Sequence, residues 1–283
     1  MNILSLQSHV AYGHVGNSAA VFALQRLGVE VWPIHTVQFS NHTGYATARG
    51  HAFNAAHIRE LTQGLRERDV LRHCDGVLSG YVGSAEVGAA ILEAVAEVKQ
   101  ANPRAVYCCD PVIGDVERGA FVKPEVADFI CAHAVPAADI VTPNHFELEH
   151  LTGNKVATMA DALAAARSLL KGPRLALITS LRRADAPADQ VEMVAVSHDA
   201  AWRIATPLIG FEIAPNGTGD AVAALFSAHW IESGDAPAAL GKAASSIYAV
   251  LEATAAMGER ELQLVAAQDR MISPSRHFTA EKL

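Results

Sequence analysis

An α/β fold, with a central, largely parallel sheet flanked by helices on both faces, is what this chain predicts, and three observations carry it. Short apolar runs alternate with helix-period segments over most of the 283 residues. Polar residues with chemical potential recur just after those apolar runs, at the C-terminal strand edge where ligands bind in open parallel sheets. One stretch, residues 191–205, reads as two consecutive strands around a turn at 197–199, so a small antiparallel edge is expected.

Taken in order, residues 3–7 form a buried strand, and residues 8–17 turn into a helix over 18–27 that Gly28 ends. Residues 29–37 form the next strand. The polar and aromatic residues 38–45 after it are too rich in donors to be mere spacing. Helices are expected over 55–68 and 84–100, around a short strand at 76–79. A strand at 104–109 runs into Asp110-Pro111-Val112-Ile113-Gly114-Asp115. A helix near 124–133 precedes the strand pair Ile140-Val141, which leads into Thr142-Pro143-Asn144 and a new helix start. An Ala-rich helix at 161–170 and a strand at 175–178 follow. Two strongly apolar helices, 219–230 and 236–256, and a last helix near 261–267 complete the list.

Length and composition set the bounds. Half the chain is hydrophobic (51%), enough for a substantial core, and a single domain over 1–283 is expected. A net charge of −8 disfavours a large nucleic-acid footprint. Cys74, Cys108, Cys109 and Cys131 lack metal-type spacing and read as reduced thiols. No basic leader and no run near eighteen apolar residues is present, so a cytoplasmic protein without a membrane segment is expected.

The chemistry centres on Asn216-Gly217-Thr218-Gly219-Asp220. A Gly-x-Gly turn opening onto a helix aims unpaired backbone N–H groups outward at the positive end of the helix dipole, which makes an anion site. Gly217, Thr218 and Gly219 are therefore placed on a transferring γ-phosphoryl group, and Asp220 on the proton of the attacking alcohol. The plainer alternative makes Asp220 only a helix cap. Asp110 and Glu147, at neighbouring strand ends, are candidates to hold a hydrated Mg²⁺ on nucleotide phosphates, with Asn144 supporting them. His145, Glu147, Glu149 and His150 lie close in sequence, but they do not form an H-E-x-x-H zinc motif. None of the thirteen histidines is assigned a catalytic role. P-loop, dinucleotide-binding and nucleophile-elbow motifs are absent.

The chain resembles the pyridoxal kinases of the ribokinase-like superfamily in seven ordered places. These are Gln7-Ser8-His9-Val10, Gly13-His14-Val15-Gly16-Asn17-Ser18, Val37-Gln38-Phe39-Ser40-Asn41-His42-Thr43-Gly44-Tyr45, Ser79-Gly80-Tyr81, Cys109-Asp110-Pro111-Val112, Thr142-Pro143-Asn144-His145-Phe146-Glu147 and Gly217-Thr218-Gly219-Asp220. The resemblance implies a ribokinase-like fold and ATP-dependent phosphorylation of the 5′-hydroxymethyl group of pyridoxal, with pyridoxine and pyridoxamine as candidate further substrates. Asp220 would be the base. Ser8 and Thr43, with Gly44 in the same loop, would meet the polar edge of the pyridine ring, and Val37, Phe39 and Tyr81 its faces.

For the nucleotide the resemblance implies Asp110, Asp115, Thr142, Asn144, Glu147, Thr179, Ser180, Thr206, Pro207, Leu208 and Ile209, beside Gly217 and Thr218, with Mg²⁺ and often K⁺. It further implies a flap over 116–122 and a homodimer. Some similar kinases carry a basic residue near Thr179, and the chain is read as relying instead on Mg²⁺ and backbone donors. Hydroxymethylpyrimidine kinases usually place Cys where Asp220 stands. Competing readings are such a pyrimidine or sugar kinase of the same fold, and a B6-binding carrier without turnover.

Overall fold

In the computed structural model, which describes residues 1–283, the chain runs from β1 (Asn2–Val10) through α1 (Asn17–Arg26) to β2 (Glu30–Phe39), and β3 (Gly50–Ala52) folds back on it. Next come α2 (Ala55–Glu67), β4 (Gly76–Ser79), α3 (Ala85–Ala101) and β5 (Val106–Cys109). A small hairpin, β6 (Gly114–Asp115) and β7 (Gly119–Ala120), forms a separate two-stranded sheet. It is followed by α4 (Pro124–Phe129), a π turn at Ile130–Ala134, α5 (Val135–Ala137), β8 (Ile140–Val141), α6 (His145–Thr152) and α7 (Met159–Leu169). The last part comprises β9 (Leu175–Leu181), β10 (Gln190–Val196), β11 (Ala201–Pro207), α8 (Thr218–Ser233), α9 (Ala236–Met257), α10 (Gln268–Ile272) and β12 (Glu281–Lys282).

The main sheet has ten strands in the order β12-β11-β10-β9-β8-β5-β4-β1-β2-β3. Every pairing from β2 across to β9 is parallel. The β9, β10, β11 and β12 pairings are antiparallel, as is β2 with β3. The antiparallel edge expected at 191–205 is therefore present. β3 and β12 add a short antiparallel strand at each rim, where few side chains alternate to announce them.

Strand parity sorts the side chains into two cores. Leu4 and Leu6, Tyr107 and Cys109, and Ala176 and Ile178 face one layer with Ile58 of α2, Ile91 of α3 and Leu148 of α6. Ile3, Val106, Cys108, Leu175 and Leu177 face the other, with Ala20 of α1, Phe226 of α8 and Ile247 of α9. This period of two in a sheet covered on both sides is why the strands read as continuous apolar runs.

Three boundaries differ from the sequence reading. β1 continues through Ser8, His9 and Val10, because Val10 exchanges hydrogen bonds with Ser18 and the Ala11 N–H bonds Phe39 O at 2.9 Å. β9 likewise runs on to Leu181. The helix expected near 261–267 is a set of turns, and α10 follows it; Leu262 and Leu264 are fully buried as separate anchors, which holds the backbone off a helical path.

Candidate active site

Because β1, β2, β4, β5, β8 and β9 are parallel, their C-terminal ends share one edge, and the expected site residues stand along it. Ser8 lies where the β1/β2 register shifts between Gln7 and His9, a bulge that re-aims the side chain. Val37, buried, and Phe39 lie at the end of β2, and Tyr81 follows β4. The Thr36 hydroxyl donates to Tyr81 O at 3.1 Å and ties those two strand ends together. Thr43 and Gly44 sit in the exposed loop beyond β2, where Gly44 N donates to His42 Nδ1 (3.1 Å) and Arg260 donates to Gly44 O (2.8 Å).

The anion turn is built as a bare backbone surface. Gly217 has φ +86°, and a Cβ there would overlap the His14 carbonyl, so only glycine fits. At Gly219 a Cβ would meet open space, and the residue lines the neighbouring cavity. The first helical bond of α8 is Ala221 N to Gly217 O at 3.0 Å, which leaves the N–H groups of Thr218, Gly219 and Asp220 without a carbonyl in the helix. Thr218 directs its hydroxyl to Pro215 O at 3.3 Å.

Asp220 occupies the first turn of this helix, half-buried. Burial pushes its carboxyl up to about 6, against the opposing pull of the Gly16 backbone N–H. Gly16 in turn packs directly on Ser8, so the acid stands beside the strand end that carries Ser8. Asp110 is 7% exposed and pushed up to about 7, first by burial and then by the negative charge of Asp220; the Thr142 hydroxyl, 2.8 Å away, opposes the shift. Glu147 is raised well above the usual carboxylate range by burial and by Asp110.

Glu147 is also structural. Its Oε1 accepts from Ile113 N (2.9 Å) and Gly114 N (3.4 Å), and its Oε2 from Asn144 N (2.9 Å), which completes the capping box of α6. Asn144 Nδ2 donates to Gly114 O at 2.8 Å. Thr142, Asn144 and Glu147 thus form a platform under Asp110 and the β6–β7 hairpin. Neither Asp110, Glu147 nor Asp220 has an ion-pair partner among the basic side chains. Asp110 and Asp220 offer oxygen ligands of the kind a hard divalent ion takes while keeping most of its water, but the three carboxyls do not gather into a metal-holding group. No tighter cluster of metal-ligating side chains forms: His145 and Lys155 turn to Glu149, away from Glu147.

Beside the anion turn lies a cavity of about 240 Å³. It brings together eight of the expected residues, namely Thr179, Ser180, Thr206, Pro207, Leu208, Ile209, Thr218 and Gly219. Ser180 has φ +51°, a left-handed conformation held where β9 and β10 slip register opposite Thr179 and Ser180. Val222, Ile247, Tyr248 and Leu251 of α8 and α9 supply an apolar wall that sequence reasoning did not assign. Arg182 lines the same cavity, exposed and without a carboxylate partner. Arg182 is thus a basic residue near Thr179 that the sequence reading, which relied on Mg²⁺ and backbone donors, did not assign. Asp115 stands outside the cavity, with its carboxylate bound to Glu117 N, Arg118 N and the Arg118 side chain.

With this geometry established, the comparisons are direct. A family model described as phosphomethylpyrimidine kinase matches residues 68–264. Pyridoxal kinase PdxY of Deinococcus radiodurans is 56% identical, over 100% of this chain and 96% of the relative; that of Rubrobacter xylanophilus is 53% identical, over 100% and 98%. The chain belongs to the pyridoxal kinase family. Among solved structures, pyridoxal kinase from Leishmania donovani in complex with ADP and pyridoxamine superposes with a TM-score of 0.92 at 32% identity, over 100% of this chain and 99% of that one. The same enzyme with ADP and ginkgotoxin gives the same score and coverage. As in those pyridoxal kinases, the architecture is ribokinase-like. Burial, and then the neighbours His9 and His57, push His35 down to about 4.

Proposed function

We propose that this pyridoxal kinase makes pyridoxal 5′-phosphate by direct transfer of the γ-phosphoryl group of ATP, with Asp220 as general base. The 5′-hydroxymethyl oxygen forms a bond to the γ-phosphorus while the bond from phosphorus to the ADP oxygen breaks. The alcohol proton passes to the Asp220 carboxylate, and the N–H groups of Thr218, Gly219 and Asp220 hold the transferring oxygens. The vitamer ring lies among Ser8, Val37, Phe39, Thr43, Gly44 and Tyr81. The nucleotide fills the cavity bounded by Thr179, Ser180, Arg182 and Thr206 to Ile209. Asp110, above the Glu147 platform expected to support it, would hold Mg²⁺, which neutralises phosphate charge when bound. K⁺ is a further expected requirement.

The observation that carries this reading is the placement of Asp220. An acid tuned to about 6 stands in the first turn of a helix that opens beside a cavity of about 240 Å³. Purified protein incubated with MgATP and each B6 vitamer should yield the 5′-phosphates. Asp220→Ala should lower kcat at least about a hundredfold with a smaller change in KM. If no vitamer is phosphorylated, or if Asp220→Ala keeps full turnover, the reading is wrong.

The phosphomethylpyrimidine kinase description of the matching family supports a second reading, a pyrimidine alcohol as substrate. A larger kcat/KM for hydroxymethylpyrimidine than for pyridoxal would establish it. The reaction is placed in the cytoplasm, where ATP is supplied. No helix is long and apolar enough to cross a membrane. A homodimer is expected, to be checked by light scattering during gel filtration.

A further inference from the structure

Arg118 stands between the two halves of the proposed site. It projects from the β6–β7 hairpin, and its Nη1 donates to Asn216 Oδ1 at 3.4 Å, directly before the anion turn. On the other side the same nitrogen faces Gly44 in the loop proposed to meet the vitamer, and its charge helps hold His42 below its ordinary range, after burial. Asp115 grips it from the same hairpin, with Nε to Oδ2 at 2.7 Å and Nη2 to Oδ2 at 2.5 Å. Its guanidinium carbon lies 5.1 Å from the centroid of the Phe121 ring. Its side chain is 48% exposed, so it has room to swing.

The electrostatics around it are one-sided. Asp110, Glu147 and Asp220 bring three carboxyls to the strand edge, and none has a basic partner. Arg182 lies in the nucleotide cavity, whereas Arg118 lies beside the turn that meets the transferring group. In transfer from ATP to an alcohol, negative charge spreads over the three equatorial oxygens of the phosphoryl group, midway between donor and acceptor. A forked cation placed between the acceptor loop and the amide cradle matches that charge.

We propose that Arg118 contacts the phosphoryl group in transit between the nucleotide and the vitamer, with Asp115 and Phe121 holding its side chain at the hairpin until phosphate draws it onto the Asn216–Gly219 turn. This rests on the kinase reading above. It also gives the β6–β7 hairpin, which carries Arg118 in its turn, a chemical role.

The test compares Arg118→Ala and Arg118→Lys with the wild-type enzyme, using steady-state kinetics with ATP and pyridoxal, calorimetric binding of MgADP and of adenosine, and thermal melting. Arg118→Ala should lower kcat at least about tenfold. Adenosine affinity and melting temperature should stay unchanged, and MgADP affinity should fall by less than kcat. Arg118→Lys, which keeps the charge but loses the fork, should recover part of the loss. A kcat for Arg118→Ala within about twofold of wild type overturns the proposal. So does an equal loss of kcat in both variants accompanied by a lowered melting temperature, which marks a purely structural hairpin. Absence of vitamer turnover in the wild type would sink the kinase reading itself, whereas wild-type turnover with an indifferent Arg118→Ala sinks only this assignment.

Discussion

Asp220 and Asp110 show how residue-scale environment sets the working range of the site. Both carboxyls are shifted upward, to about 6 and about 7, chiefly by burial. A base must be ionised, so kcat/KM should rise with pH through about 6 and level off above about 7; a profile flat from pH 5 to 8 would show that neither acid controls the reaction. Linkage has the opposite sign. An acid whose folded pKa is raised stabilises the fold fully only below its unfolded value near 4, and that stability is lost as pH rises through the folded value. Asp110→Asn should therefore be more stable than wild type at pH 8, by on the order of 1–3 kcal/mol, and melt higher, with the gap closing toward pH 4. The Asn side-chain oxygen can still accept from Thr142. Among these residues Asp220, Asp110 and Glu147 were legible in the sequence, because glycine turns and strand ends mark them. Arg118 and Arg182 were not, since an isolated arginine in a loop gives no hint of where its guanidinium points until the hairpin and the β9 irregularity place it.

The element that sets the anion site is α8 with its entry turn, and its two glycines differ in kind. Gly217 needs its positive φ and its missing Cβ because the His14 carbonyl occupies that space; Gly219 faces open volume. Gly217→Ala should destabilise the fold by on the order of 1–3 kcal/mol and lower the melting temperature by several degrees. Gly219→Ala should leave melting nearly unchanged yet raise KM for ATP or lower kcat, because its methyl group projects into open space at the cavity that Gly219 lines. Equal losses of stability in the two variants would contradict this distinction. At this scale the sequence showed the Gly-x-Gly turn but not which glycine serves the fold and which leaves room for a ligand. The bulges at Ser8 and at Thr179–Ser180 were invisible for a related reason, since register depends on the neighbouring strand as well as on the run itself. The expected helix at 261–267 failed because Glu261 is committed elsewhere: it accepts from the Tyr45 hydroxyl at 2.6 Å and so joins that segment to the loop beyond β2.

Across the whole molecule, the sheet order separates the two proposed half-sites: β4, β1 and β2 carry the residues proposed to meet the vitamer, β9 to β11 those proposed to meet the nucleotide, and Asp110 after β5 lies between them. Parallel alternation and the antiparallel edge made most of this order readable, because each βα unit buries one apolar strand between two helix layers. What could not be read is how the last residues return to the nucleotide half. β12 pairs with β11, and Arg276 just before it donates to the Tyr248 hydroxyl at 3.1 Å, with its guanidinium carbon 5.2 Å from the centroid of that ring. Phe278 meets the same ring edge-on at 5.1 Å. Tyr248 is buried and lines the cavity proposed for the nucleotide, so the C-terminal segment braces a wall of that cavity from behind. Removing the brace should loosen nucleotide binding without touching the vitamer pocket at the other end of the sheet. Arg276→Ala should raise KM for ATP roughly threefold to tenfold while KM for pyridoxal stays within about twofold of wild type. If both constants rise together, the segment supports the sheet as a whole, and the division of the two half-sites along it is not the one drawn from the topology.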